Sequence, residues 1–280
     1  MFGISLRSLL SHKLRLALTT IAVILGVSFV AGTFILTDTI NATFTSIFAT
    51  ANAGVAVTVH GRPIAGDSGG IGGGQNHPIP TSLLSTVRKV DGVKDAVGNI
   101  FREGATLIGH NGKPIGGNGP PTFGANWITD ANISPYHLRK GTPPQGPTDV
   151  VIDAGTAAKN DLAVGDSLPI VFLGGVEEHF TITGVAGYGT SDNLAGATIA
   201  LFTESTANRV LEAQNKYDSI LVSAQSGVTD VVLRERLAAA LPSYAVAETG
   251  QQAAAAAEQS TESTISTFIG TPLLVFAFIS

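Results

Sequence analysis

The residues most suggestive of chemistry sit in one glycine-rich stretch. Gly66, Asp67, Ser68, Gly69 and Gly70 match the G-x-S-x-G pattern of a serine nucleophile. A nucleophile elbow needs a strand before the serine and a helix after it, whereas Gly72, Gly73 and Gly74 follow Ser68 at once and make the segment a loop. In the triad order that runs His, Asp, Ser, only His12 and His60 precede Ser68, and His12 falls on the cytoplasmic side of the topology derived below. The six histidines (His12, His60, His77, His110, His137 and His179) never form H-E-x-x-H, so no helix-borne zinc pair is expected. Glu177 with Glu178, and Asp91 with Asp95, have the residue type for acid/base work, but neighbouring carboxylates of this kind are ordinarily solvated surface. No G-x-x-x-x-G-K-[ST] loop is present, so any ATP hydrolysis falls to a partner. With no cysteine, disulfides, thiolate metal sites and thiol catalysis are excluded. The Asn41/Thr43 and Asn132/Ser134 sequons are too short a pattern to carry weight. The chain is therefore expected to be no enzyme and to hold no cofactor or metal.

Composition points to a membrane instead. Of 280 residues 44% are hydrophobic and 13% charged. Arg7, Lys13 and Arg15 stand before the first acid, Asp38, and every Asp and Glu lies between Asp38 and Glu262. That central stretch holds 13 basic groups against 21 acids, a net of −8, which would repel a phosphate backbone and argues against nucleic acid. Leu16 to Thr37 is an uncharged run of 22 residues; as a helix it rises about 33 Å, enough to cross a hydrocarbon core. The basic residues before it, and none after it until Arg62, place the N-terminus in the cytoplasm and the long central region outside. Ala22 with Gly26, and Ser28 with Gly32, are small residues four apart that allow close approach of another helix. A cleaved signal peptide is the rival reading; its apolar core would be about 7 to 15 residues, shorter than this run. The run from Ser263 to Ser280 is again uncharged and reads as an incomplete second span, interrupted by Pro272, with a buried helix as its alternative.

The expected organisation follows. Residues 1–15 form a cytoplasmic interfacial segment, 16–37 the first transmembrane helix and 38–53 a stalk helix carrying Ile40, Phe44, Ile47 and Phe48 at helical spacing. Residues 54–250 form an extracytoplasmic domain, 251–264 a second stalk helix and 265–280 the start of the second span. Within the domain, a strand at Val55, Val57 and Val59, a helix over 81–90 and a strand over 93–101 form one β-α-β unit. Strand 220–222, helix 229–241 and strand 244–247 form another. Two such units predict an α+β, ferredoxin-like open sheet with helices on one face. Strands at 150–153, 167–173, 180–185 and 198–202 predict an inserted, mostly β subdomain at about 148–203, and 61–80 and 109–126 read as loops.

Several short motifs together resemble a known family. They are Leu9 and Leu10, then His12, Lys13, Leu14 and Arg15; Ala31, Gly32, Thr33 and Phe34; Thr37, Asp38 and Thr39. Further along come Val151, Ile152, Asp153 and Ala154; Leu162, Val164, Gly165 and Asp166; and Phe180, Ile182, Gly184 and Val185. The chain resembles the N-terminal part of an actinobacterial FtsX-like permease with a MacB-like periplasmic core domain. The resemblance implies a permease subunit in the cell membrane, paired with a second permease as homodimer or heterodimer and served by a separate ABC ATPase. ATP-driven motion would pass through the membrane helices to the outer domain, for export or for lipoprotein or peptide translocation. It also implies further spans and a coupling helix beyond Ser280, so the chain reads as a fragment. Two other classes stay open on the sequence: a membrane-anchored extracytoplasmic binding or adaptor domain, and a secreted hydrolase using Ser68.

Overall fold

A computed structural model describes residues 54–64, 76–116, 121–194 and 196–252, together with Ala255 and ten helical residues between Ala17 and Gly32. Ala22, the expected stalk segment 38–53, the Ser68 loop, and most of 251–280 with the expected second span lie outside the described residues.

In chain order, the elements are β1 (Val57–Gly61), β2 (Ile79–Pro80), α1 (Leu83–Val87), β3 (Val93–Asn99), β4 (Phe101–Glu103), β5 (Thr106–Leu107), β6 (Thr122–Asn126), β7 (Tyr136–Gly141) and β8 (Asp149–Asp153). Then follow α2 (Ala154–Lys159), β9 (Ser167–Val171), β10 (Glu177–Tyr188), β11 (Thr198–Phe202), α3 (Glu204–Val210), β12 (Lys216–Tyr217), β13 (Ser219–Ala224), α4 (Asp230–Ala240) and β14 (Ala245–Thr249).

Four strands form one antiparallel sheet in the order β14-β1-β13-β3. Alternation decides its faces: Val57 and Val59 of β1, Ile220 and Val222 of β13 and Ala96 of β3 turn inward, where they meet Leu83 and Val87 of α1 and Leu233 and Leu237 of α4. Each β-α-β unit thus returns its helix to the same face, the layout its two sequence patterns require. Helix α4 starts where Thr229 accepts a hydrogen bond from the Val232 amide (3.4 Å) and Asp230 stands in the first turn. Helix α1 is shorter than the expected 81–90, because beyond Arg88 its amides bond three residues back rather than four.

The second sheet is larger than its sequence signals. Eight strands run β4-β6-β11-β8-β10-β9-β5, with β7 added on β10. Segment 101–107 is continuous: its first half pairs with β6 and its second half with β9, so the sheet closes on itself. The switch of partner occurs at Gly104, whose φ of +104° suits glycine and where a Cβ would lie 2.5 Å from the Leu173 side chain. The sequence reading begins the β-rich insertion at about 148, whereas the sheet begins at Phe101. Within the expected loop 109–126, Thr122–Asn126 is a strand paired in parallel with β11. Its glycine and asparagine weaken local strand preference, and a distant partner supplies the pairing.

Strands β8 and β11 are buried on both faces. Val150, Ile152, Ala200 and Phe202 point into the main core, while Val151, Ile199 and Leu201 point into a second cluster with Tyr136 and Tyr188. Phe172, Phe180 and Phe202 fill the interior of the closed sheet with ring centroids 5.0–6.0 Å apart. The main core runs without a break from Val57 and Leu237 to Phe202, so both sheets share it.

Candidate functional site

The groups singled out for chemistry are dispersed and engaged elsewhere. Glu178 pairs with Arg209, and Glu177 lies 3.5 Å from His179. Asp91 accepts from Arg236 at 2.7 Å, while Asp95 accepts from the amide of Ala96. His110 stands 3.7 Å from Asp166, and His77 and His137 are exposed. Among the described residues no three His, Cys, Asp or Glu side chains gather to hold a metal ion. Ser68 lies outside the described residues.

What the fold does gather is the pair of chain crossings at one pole of the four-stranded sheet. The incoming chain reaches β1 from Gly54, and the outgoing chain leaves β14 at Gly250, so the two are neighbours: Val57 is opposite Thr249, and the Gly250 amide donates to the Ala56 carbonyl at 3.3 Å. A helix begins at once. The Thr249 hydroxyl accepts from the Gln252 amide (3.2 Å) and the Gln252 side chain accepts from the Thr249 amide (3.1 Å), a reciprocal capping box. The T-x-x-Q spacing was in the sequence, but the expected helix began at Gln251, two residues past its cap. The second sheet also reaches this pole. Gly54 has φ of +84°, and a Cβ there would sit 1.9 Å from the Asn132 carbonyl oxygen, so only glycine lets the 130–135 loop close on the incoming chain.

One ion pair, buried on its histidine side and part-exposed on its carboxylate side, lies across these strands. His60 of β1, only 6% exposed, places Nε2 3.3 Å from Glu248 of β14 and donates from Nδ1 to the Gly61 carbonyl at 2.7 Å. Burial works against the imidazolium, but the bonds to Glu248 and the Gly61 carbonyl outweigh it and raise the His60 pKa above its ordinary value. The bond from His60 holds the Glu248 carboxyl below its usual range, against a smaller opposing effect of burial.

A second polar cluster joins the two sheets. The chain leaves the first sheet after Asn99 and returns at Ser219, and these two residues are paired. Arg102 donates to both Asp218 oxygens (2.8–3.2 Å) and, through Nη1, to the carbonyls of Leu211 and Glu212. Asp218 also accepts from the Phe101 amide at 2.9 Å. Buried Asn126 donates to the Gly98 carbonyl and accepts from the Ile100 amide. Both crossings are thereby locked by side chains far apart in sequence, which no local pattern announced. Fork-shaped, charge-assisted bonds of this kind combine strength with a single geometry.

Of the expected helix-packing residues, three lie among those described. Gly26, Ser28 and Gly32 are helical and exposed, and a Cβ added at Gly26 or Gly32 meets nothing within 4 Å. Leu18, Ile21, Ile24 and Val27 on the same stretch are 52–65% exposed. Among the described residues, no helix is long and apolar enough to cross a membrane. Elsewhere, Leu173 and Val176 at the tip of the β9–β10 hairpin are 61% and 57% exposed.

The family described as the MacB-like periplasmic core domain matches residues 16–240. No curated protein matches the chain. The crystal structure of the periplasmic region of MacB from Actinobacillus actinomycetemcomitans is similar over 71% of this chain and 92% of that one, with 16% identity and a TM-score of 0.51. The extracellular domain of the noncanonic ABC-type transporter YknZ from Gram-positive bacteria is similar over 69% and 98%, at 13% identity and a TM-score of 0.48.

Proposed function

Because the chain belongs to the family of MacB-like periplasmic core domains, we propose that it is the outer part of an ABC-transporter permease. In this reading the core domain lies outside the cytoplasm, and Leu16–Thr37 anchors it through the membrane with the N-terminus inside. Residues 265–280 start the return span. A separate ATPase supplies the nucleotide chemistry, and a second permease, identical or related, completes the transporter for export or for lipoprotein or peptide translocation. The actinobacterial cast of the resemblance rests on the sequence motifs alone.

The family match carries this reading, and the pole at Gly54 and Gly250 supports it mechanically. Both membrane-side connections enter adjacent strands of one sheet, so a displacement of the two connections together is imposed on β1 and β14 at once. The Arg102–Asp218 lock and the shared core then carry it into the closed sheet. The role is transmission of movement rather than a conducting pore.

Co-purification from native membranes is the test. The full chain should bring down an ATPase carrying a P-loop, and ATP hydrolysis by that complex should exceed that of the ATPase alone. A full chain that recovers no nucleotide-binding partner and leaves hydrolysis unchanged would overturn the permease reading. A second reading, an anchored binding or adaptor domain, draws on the exposed Leu173 and Val176 at the hairpin tip, two neighbouring apolar side chains that another protein could cover.

A further inference from the structure

We propose that His60 and Glu248 form a pH-sensitive latch between β1 and β14, closed while the imidazole is protonated and released when it is not. Among the described residues strand β14 lies at the edge of its sheet and pairs only with β1, so the hold of the outgoing chain on the incoming one depends on this ladder. His60 lies opposite Val246 and Thr58 opposite Glu248; the ion pair is therefore the diagonal contact of the ladder, within reach of long side chains.

The site is built for the cation. Both ring nitrogens face acceptors, Nδ1 the Gly61 carbonyl at 2.7 Å and Nε2 the Glu248 carboxylate at 3.3 Å. A neutral imidazole has one N–H and can serve only one of them. The side chains flanking His60 on the same face are Thr58 of β1, Ser219 and Leu221 of β13 and Val246 of β14, none of which titrates in this range. Arg62, next along the chain, sends its guanidinium to the Ser243 carbonyl, His77 is exposed, and Asp95 lies two strands away on β3. Glu248 is thus the charge that answers His60. The Thr58 hydroxyl, directly opposite on β1, is buried and has no hydrogen-bond partner among the described residues.

The direction of the pH effect follows from His60 titrating above its ordinary 6.5 in the folded chain. The stabilisation is fully present below about 6.5 and is lost as the pH rises through the folded value. Glu248, held below its ordinary 4.5, keeps its side of the pair ionised throughout this window. The latch belongs to the sheet itself and is independent of what the chain transports.

Hydrogen exchange on the full chain in mild detergent tests it, with rates corrected for intrinsic pH dependence. Between about pH 6 and pH 8, protection of the 245–252 amides should fall about fivefold, the size of a part-exposed charge pair, while β11 in the second sheet is unchanged. In Glu248→Gln the difference should vanish. A titration of the unmodified protein with labelled histidine needs no variant, and should place His60 above 6.5, identified by the signal lost in His60→Gln. Equal protection of 245–252 at both pH values, the same pH difference in Glu248→Gln, or a His60 titration at or below 6.5 would each overturn the latch.

Discussion

Asp153 is the residue whose position says most about local chemistry in this fold. It ends β8 and caps α2, and its two oxygens serve different elements: Oδ1 accepts from the Thr156 amide at 2.7 Å and Oδ2 from the Ile199 amide of β11 at 2.9 Å. Burial raises its pKa, against the smaller pull of those bonds. For a carboxylate the sign is then unfavourable to the ion: this group favours the fold most at low pH, and the benefit declines as the pH rises through its raised folded value. The carboxylate nonetheless cannot be exchanged for an amide. Asp153→Asn keeps the cap on Thr156 but turns an N–H toward the Ile199 amide, leaving a buried donor unmet. We expect a loss of about 1–3 kcal/mol, seen as a lower Tm by calorimetry despite the charge removed. Asp153→Ala should cost at least as much, since it loses the cap as well. Val151, Ile152, Asp153 and Ala154 stood out in the sequence as a motif; what the aspartate does there needed the approach of β11.

At the scale of elements, the two chain crossings decide whether the sheets behave as one body. Arg102 is part-buried and bonded to a carboxylate and two carbonyls, so Arg102→Ala leaves Asp218 and both carbonyls without that donor. A fall in stability of about 2–3 kcal/mol by denaturant titration is the expected outcome, with Asp218→Ala close to it and the double variant well short of their sum. Full additivity would mean that the two side chains do not act as a unit. Gly104→Ala attacks the closure of the second sheet: it combines a positive φ with overlap against Leu173, and should destabilise by more than about 1 kcal/mol, with faster exchange at 101–107 than in β13. The strands at 150–153 and 198–202 were legible because continuous apolar runs mark strands buried on both faces. Strands β6 and β7 were not, because T-F-G-A-N and Y-H-L-R-K-G have no such run and take their pairing from β11 and β10.

For the molecule as a whole, topology is the quantity to measure, and a chain without cysteine makes that measurement clean. Single cysteines at Leu173 and at Val176 should react with a membrane-impermeant maleimide on intact cells, and one at Arg7 only after lysis. Labelling of Arg7→Cys in intact cells would reverse the proposed orientation. Along the proposed anchor, cysteines at Ala22, Gly26, Ser28 or Gly32 should cross-link to a neighbouring helix more readily than ones at Thr20 or Val27 on the opposite side, and Gly26→Leu should reduce that yield severalfold. Uniform cross-linking around the helix would remove the packing role of the small residues.

The two periodicities were enough to derive an α+β domain, because burial depends on residue type and short-range spacing; hydropathy and charge asymmetry supply the anchor proposed for it. The observed order β14-β1-β13-β3 is compatible with the ferredoxin-like open sheet that two β-α-β units predict. Tertiary structure alone decided that segment 101–107 divides itself between β6 and β9, that Arg102 meets Asp218, and that His60 meets Glu248. Each joins residues separated by tens to well over a hundred positions, and the bonds that fix them exist only after the backbone has brought their strands side by side.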